Sequence, residues 1–245
     1  MQLRVFYHVY IPPDLRSCAW QWYVDEQLGV MQQSQLHKIA TVNICVTMPG
    51  GWLDLFGSSF MLDNGGSYTT FFVKFQEYLK IRYPWVNVVS YRDTSEPNLF
   101  EGPTLQQLHN QSLSEDFFAL YIHTKGVVVQ SSPSVAAWRQ ILNHYLISNW
   151  PENVKLLNDY QVVAVNDSRT ENAAIVSGNF FWARSDYIRS LPDPVHTHLY
   201  DPSVFNRYAF ETWILSGNPT VCYLTNTHSD PYGQYCFLEN LISTK

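Results

Sequence analysis

Short apolar runs alternate with stretches whose apolar positions recur every three or four residues, and this alternation lays out the first half of the chain. Leu3–Val9 reads as a first strand, and residues 17–39 read as a helix because Trp20, Val24, Leu28 and Met31 fall at helical spacing. Thr41–Thr47 predicts a second strand, ended by Met48-Pro49-Gly50-Gly51. From there to Ser67 the abundance of Gly, Asp, Asn and Ser predicts a long loop, which Trp52, Leu55, Phe56 and Phe60 can pack down. Phe71–Tyr83 predicts a helix stopped by Pro84, and Val86–Ser90 a third strand with Tyr91-Arg92-Asp93 at its carboxyl end. Pro103-Thr104-Leu105 opens a short helix that leads into a strand over Phe117–His123. Strands that alternate with helices in this way predict an α/β fold with a largely parallel sheet.

The second half continues with a helix over Val135–Ile147, which carries Trp138 and Arg139, and a strand over Gln161–Val165 that ends in Asn166 and Asp167. Ile175–Ala183 reads as one apolar strand broken by Ser177, Gly178 and Asn179; such a break predicts a bulge or the close approach of a ligand. Ser185 is placed to cap a helix carrying Tyr187, Ile188 and Leu191, which Pro192 ends, and a later helix holds Arg207, Glu211 and Trp213. No internal repeat or low-complexity segment interrupts the pattern.

Composition narrows the class. With 245 residues, 46% hydrophobic and 15% charged, the chain fits one domain around a large core. A net charge of −6 and a pI near 5.7, with no dense basic stripe, argue against nucleic acid as a partner. No apolar run approaches the roughly 20 residues of a membrane span. The stretch Met1-Gln-Leu-Arg-Val-Phe-Tyr-His8 lacks the apolar core of a signal peptide, so the expectation is a cytoplasmic protein. Cys18, Cys45, Cys222 and Cys236 show no Cys-x-x-Cys spacing, which predicts reduced thiols rather than a disulfide or zinc framework. Without a secretory signal, Asn110-Gln-Ser112 and Asn166-Asp-Ser168 read as chance matches to the glycosylation sequon.

The candidate chemistry begins where the apolar run Ala119–Ile122 stops in His123, Thr124, Lys125 and Gly126. In open α/β sheets the ligand crevice lies beyond the carboxyl ends of the strands, so this end is well placed for binding. Lys125 supplies a fixed positive charge and Gly126 lets backbone approach closely; the plainer alternative is that Lys125 caps the strand and faces water. The phosphate cradles Gly-x-x-x-x-Gly-Lys-Ser/Thr and Gly-x-Gly-x-x-Gly are absent, and so is Gly-x-Ser-x-Gly, which leaves P-loop, dinucleotide and serine-hydrolase chemistry without support. His196-x-His198 would put two rings on one strand face, yet no Cys, Asp or Glu cluster completes a metal site there.

Taken in order, Tyr121-Ile-His-Thr-Lys-Gly126, Trp138-Arg139, Ser177-Gly-Asn-Phe-Phe-Trp182 with Tyr187-Ile188 and Leu191-Pro192, and Glu211-Thr-Trp213 carry a resemblance. The chain resembles a family of glycosyltransferase-like proteins found in bacteria, invertebrates and large DNA viruses. Its better understood relatives look like the GT-A glycosyltransferases that decorate chlorella-virus capsids. The likeness covers roughly residues 100–215 well and the N-terminal strands more loosely. It implies a single GT-A, Rossmann-like domain over 1–245 with a mostly parallel mixed sheet flanked by helices. A nucleotide-sugar-binding half would occupy about 1–126 and an acceptor-binding half about 127–245. The implied partners are a UDP- or GDP-sugar donor and a glycan or glycoprotein acceptor.

The chain departs from that family in one respect: it has no Asp-x-Asp, the motif that holds a divalent metal against the donor diphosphate, and His123-Thr124-Lys125 stands in its place. Sugar transfer builds negative charge on the departing diphosphate, which Lys125, helped by His123 and Arg184, can meet without a metal cofactor. The competing expectation keeps magnesium or manganese through Asp167 or Asp93. Glu211, in the otherwise apolar stretch Tyr208–Ile214, is the candidate base for the acceptor hydroxyl, and a single base predicts inversion. Its alternative is a salt bridge to Arg207, one helical turn back, with Asp186 and Asp167 as substitute bases.

On the donor side the resemblance points to Tyr7 and His8 ending the first strand, Tyr91 and Asp93 ending the third, and Thr104, Gly126, Asn166 and Asp167. On the acceptor side it points to Gly178, Asn179, Trp182, Arg184 and Trp213, with Trp182 stacking on a sugar face, Asn179 bonding hydroxyls and Gly178 leaving room. The rival from another class is a glycan- or nucleotide-binding module that keeps the fold without turnover. A sugar-nucleotide hydrolase or nucleotidyltransferase would need a carboxylate pair beside Lys125, and the sequence offers no obvious one.

Overall fold

Strands buried on both faces read as unbroken apolar runs, and the central strands of this chain do. In the computed structural model, residues 1–11, 19–49, 68–94, 100–127, 133–170, 173–195 and 208–225 are described. They contain strands β1 (Gln2–Tyr10), β2 (Ala40–Pro49), β3 (Val86–Thr94), β4 (Phe117–His123), β5 (Val162–Ala164), β6 (Asp167–Thr170), β7 (Ala173–Val176), β8 (Phe181–Arg184) and β9 (Val221–Tyr223). The helices are α1 (Ala19–Gln33), α2 (Tyr68–Arg82), α3 (Gly102–Ser112), α4 (Pro133–Leu142), α5 (Trp150–Leu156), α6 (Ser185–Ser190) and α7 (Tyr208–Trp213). Among the described residues no helix is long and apolar enough to cross a membrane.

Seven strands form a mixed, mostly parallel sheet in the order β3-β2-β1-β4-β8-β5-β9, in which β8 alone runs antiparallel to its neighbours. The fold is therefore α/β, as the alternation of strands and helices predicts. From β1 the chain moves outward to β2 and β3, then returns to pair β4 on the other side of β1. Right-handed crossovers make the helices change face when the direction of travel reverses. Accordingly α1 and α2 pack on one face with Leu3, Val5, Tyr7 and Val9, whereas α3, α6 and α7 pack on the other with Phe6, Tyr121 and Phe181. That reversal puts a topological switch point between β1 and β4, where such sheets open their ligand crevice.

Four sequence expectations change. The helix over 135–147 ends at Leu142, and Asn143–Ser148 winds as a π-helix. The strand over 175–183 is two strands in different sheets: β7 pairs with β6 as a separate hairpin, and β8 joins the main sheet after a tight turn at Ser177–Asn179. Ser185 does not cap α6; its hydroxyl accepts the backbone N–H of Phe117 at 2.9 Å and ties the start of that helix to the start of β4. The helix over 17–39 stops at Gln33, after which Gln35 takes a left-handed φ of 63° before one short 3-10 turn. The loop over 50–67 lies outside the described residues.

Candidate functional site

The carboxyl edge of the sheet gathers the motif residues. Thr124 extends the pairing of β1 and β4 by one step: its N–H donates to His8 O at 3.1 Å and its Oγ1 accepts the N–H of Tyr10 at 3.0 Å. His123 packs edge-on against Phe180, ring centroids 5.0 Å apart, and its Nε2 donates to the carbonyl of Gly178 at 2.8 Å. The Lys125 ammonium lies 4.2 Å from the ring centre of Trp138, whose indole N–H donates to Ser177 Oγ at 2.9 Å. Ser177 N–H in turn donates to Asn166 O at 3.0 Å, so the end of β5 joins the same edge. The structure thus brings together His123, Lys125, Gly126, Asn166, Asp167, Gly178 and Asn179.

Two glycines make this possible. Gly126 has φ 87° and a Cβ there would collide with Val135 Cγ1, while Gly178 has φ 66° and a Cβ would sit 2.5 Å from Leu142 Cδ1. Asn179, at φ 54°, is buried, and neither its amide oxygen nor its amide nitrogen has a hydrogen-bond partner among the described residues. Buried polar atoms in native proteins are nearly always satisfied, so this amide marks a place for water or a ligand.

Other expected residues lie elsewhere. Tyr7 does not end its strand, because β1 runs on to Tyr10; its side chain is fully buried, and burial and then the Glu26 charge hold its pKa well above the usual tyrosine value. His8 and Thr104 do meet, Nδ1 to Oγ1 at 2.9 Å, with Thr47 Oγ1 3.2 Å from Nε2. The three close a buried network inside the second face, where burial lowers the His8 pKa to about 3. Tyr91 and Asp93 lie on edge strand β3, separated from β4 by the two strands β2 and β1, and their side chains are outside the described residues, as are His196, His198 and Arg207.

Three acceptor-side expectations are corrected. Trp182 is fully buried in the first-face core, its indole N–H donating to Leu146 O at 2.8 Å, because its place in β8 turns it inward. Trp213 is equally buried on the second face, with its N–H on Pro192 O at 2.8 Å. Arg184 sits at the opposite edge of the sheet: the register pairs it with Phe118, five residues or about 16 Å along β4 from His123. There it binds Asp186 through two hydrogen bonds, which also hold the Asp186 pKa below its usual value and remove that residue as a substitute base.

Glu211 is 9% exposed and sits on α7, on the second face. Its charge is felt at the Tyr121 hydroxyl, whose pKa is raised by burial first and then by Glu101, Cys45 and Glu211. Lys125 and Trp138 lie toward α4, so the two proposed chemical groups flank β4 from different sides. Helix α1 adds Tyr23, Glu26 and Gln27, which no motif marks and whose side chains reach Gly126 O, Arg139 and His123 O. Among the described residues no group of three His, Cys, Asp or Glu is placed to hold a metal ion, and Cys45 and Cys222 carry no disulfide.

No protein-family profile and no curated protein sequence matches the chain. Among solved structures it is similar to a candidate nucleotide-diphospho-sugar transferase from Desulfovibrio desulfuricans G20, at 11% identity and a TM-score of 0.40, over 100% of this chain and 98% of the other.

Proposed function

We propose that the chain is a GT-A-like glycosyltransferase that moves a sugar from a UDP- or GDP-linked donor to a hydroxyl of a glycan or glycoprotein, with inversion at the anomeric carbon. One observation carries this reading: a lysine ammonium held on Trp138 at the β1/β4 switch point, with its loop tied through His123 and Trp138 to the Ser177–Asn179 turn. Charge accumulates on the departing diphosphate, and a preorganised cation at that edge lowers the barrier. Gly126 gives the loop carrying Lys125 its left-handed turn, Asn166 and Asp167 border the donor, and the unsatisfied Asn179 amide meets sugar hydroxyls beside Gly178. Glu211 takes the proton of the attacking hydroxyl.

GT-A enzymes place a divalent metal at the end of this strand. The residues here do not fit it: the position holds a cation, which would repel a second one, and among the described residues no group of three His, Cys, Asp or Glu is placed to hold a metal ion. No step is therefore drawn through a metal. A second reading, a binding module without turnover, is favoured by the burial of Glu211 on α7, which packs on the face opposite α1.

The test is thermal stabilisation of the purified protein by a panel of nucleotides and nucleotide sugars, each with EDTA and with manganese, repeated on Lys125→Ala. A stabilisation of several degrees by one nucleotide sugar, unaffected by EDTA and lost in the variant, supports the donor site. Stabilisation that requires manganese overturns metal independence, and none under any condition overturns the donor site.

A further inference from the structure

The Trp138-Arg139 pair is a motif that the proposed chemistry does not use directly. We infer that Arg139 and Glu26 are positioning residues: together they set the backbone of the 123–126 loop and so aim the Lys125 ammonium. The inference rests on the reading of Lys125 as the group that faces the donor diphosphate.

A loop that leaves a strand turns its carbonyls away from the sheet, and each buried one needs a donor. Here three of them are met by side chains from helices. Gln27 Nε2 donates to His123 O at 3.2 Å, Arg139 Nη1 to Lys125 O at 3.0 Å, and the Tyr23 hydroxyl to Gly126 O at 3.0 Å. Arg139 is itself locked. Its Nε and Nη2 grip the Glu26 carboxylate at 3.0 and 2.7 Å, and its guanidinium stacks on Tyr23 with the carbon 4.3 Å from the ring centre. Asn143 Nδ2 holds the same carboxylate at 2.9 Å.

Arg139 is 6% exposed, and burying an ion pair gains little stability over apolar packing of the same volume. Its distinctive yield is geometric. A planar fork fixed at two positions by Glu26 directs its remaining nitrogen at one carbonyl, which a lysine in its place would not do. That carbonyl belongs to Lys125, whose ammonium then rests on Trp138, the residue preceding the fork. Loop, cation and aromatic platform form one unit anchored in α1.

The experiment uses fluorotryptophan-labelled full-length protein, with the Trp138 resonance among the 8 tryptophans identified by Trp138→Phe. Lys125→Ala shifts that resonance because the ammonium leaves the ring. Glu26→Gln, and separately the milder Tyr23→Phe, which removes one hydroxyl and keeps the stacking ring, shift it in the same direction. If both lower the melting temperature and leave the Trp138 resonance at its wild-type position, the inference is overturned. UDP and GDP then serve as probes. Glu26→Gln weakens binding about tenfold when Lys125 is present. In the Lys125→Ala background it adds no more than about twofold, since the two residues act through one contact. Equal weakening in both backgrounds counts against the inference. If the wild-type protein binds neither nucleotide, the donor site fails, while the fluorine resonance still decides the clamp.

Discussion

At the scale of single residues, backbone conformation and buried protonation give the sharpest expectations. Gly126→Ala and Gly178→Ala each force a Cβ into a left-handed position already crowded by Val135 or Leu142, which costs about 2 kcal/mol or more. Gly29, inside α1 with open space around its Cβ position, is the control: Gly29→Ala adds about 1 kcal/mol. Urea unfolding separates the two classes, and a neutral Gly126→Ala would mean that the loop adopts another shape. His8 makes stability depend on pH. Its folded pKa is lowered from 6.5 to about 3, so between those values the unfolded chain binds the proton and the folded one does not. Stability therefore falls as pH drops below 6.5, by about 1.4 kcal/mol per unit, and the loss ends near pH 3 where the folded state also protonates. Unfolding at pH 7.5, 6 and 5, above the range of the depressed Asp186, reads this slope, and His8→Gln flattens it.

At the scale of elements, the π-helical segment after α4 leaves carbonyls that its own turns do not fill. Trp182 donates to Leu146 O, and Asn153 donates to Tyr145 O at 2.7 Å. Trp182→Phe keeps most of the buried ring and leaves that carbonyl without its indole donor, so it lowers stability by about 1–3 kcal/mol and leaves nucleotide affinity unchanged. Weakened binding at unchanged stability would restore Trp182 to the pocket. This residue also shows what the sequence makes legible. The strands β1, β2 and β4 are readable because both faces are buried, and the carboxyl-edge motif is readable because polarity begins abruptly at His123. The inward direction of Trp182 depends on where β8 enters the sheet, and that follows from a turn at Gly178 and Asn179 that a polar break does not specify. Arg184 is misplaced for the same reason: only the antiparallel register shows it at the far edge. The clamp residues Tyr23, Glu26 and Gln27 are silent because a helix face that binds a loop has the same composition as one that binds water.

At the scale of the whole molecule, the reversal of travel after β3 decides which groups can cooperate. The loop after β4 carries Lys125 over Trp138 on the α4 side, and Glu211 sits on α7, which packs on the opposite face with Tyr121. A donor diphosphate at the switch point and an acceptor hydroxyl approaching from the α7 side would then meet across the end of the strand, as inversion requires of a leaving group and a nucleophile. Glu211→Gln tests this arrangement, because it keeps volume and removes the base. For a catalyst, the sugar-transfer rate falls by about 100-fold or more while the affinity for the nucleotide donor is unchanged, since the proposed donor site is on the Lys125 side. For a binding module, wild type and variant are equally inactive toward every donor and acceptor pair, and glycan or nucleotide affinity is the same in both. A variant that loses donor affinity together with rate would put Glu211 in the donor site and rule out the two-sided geometry.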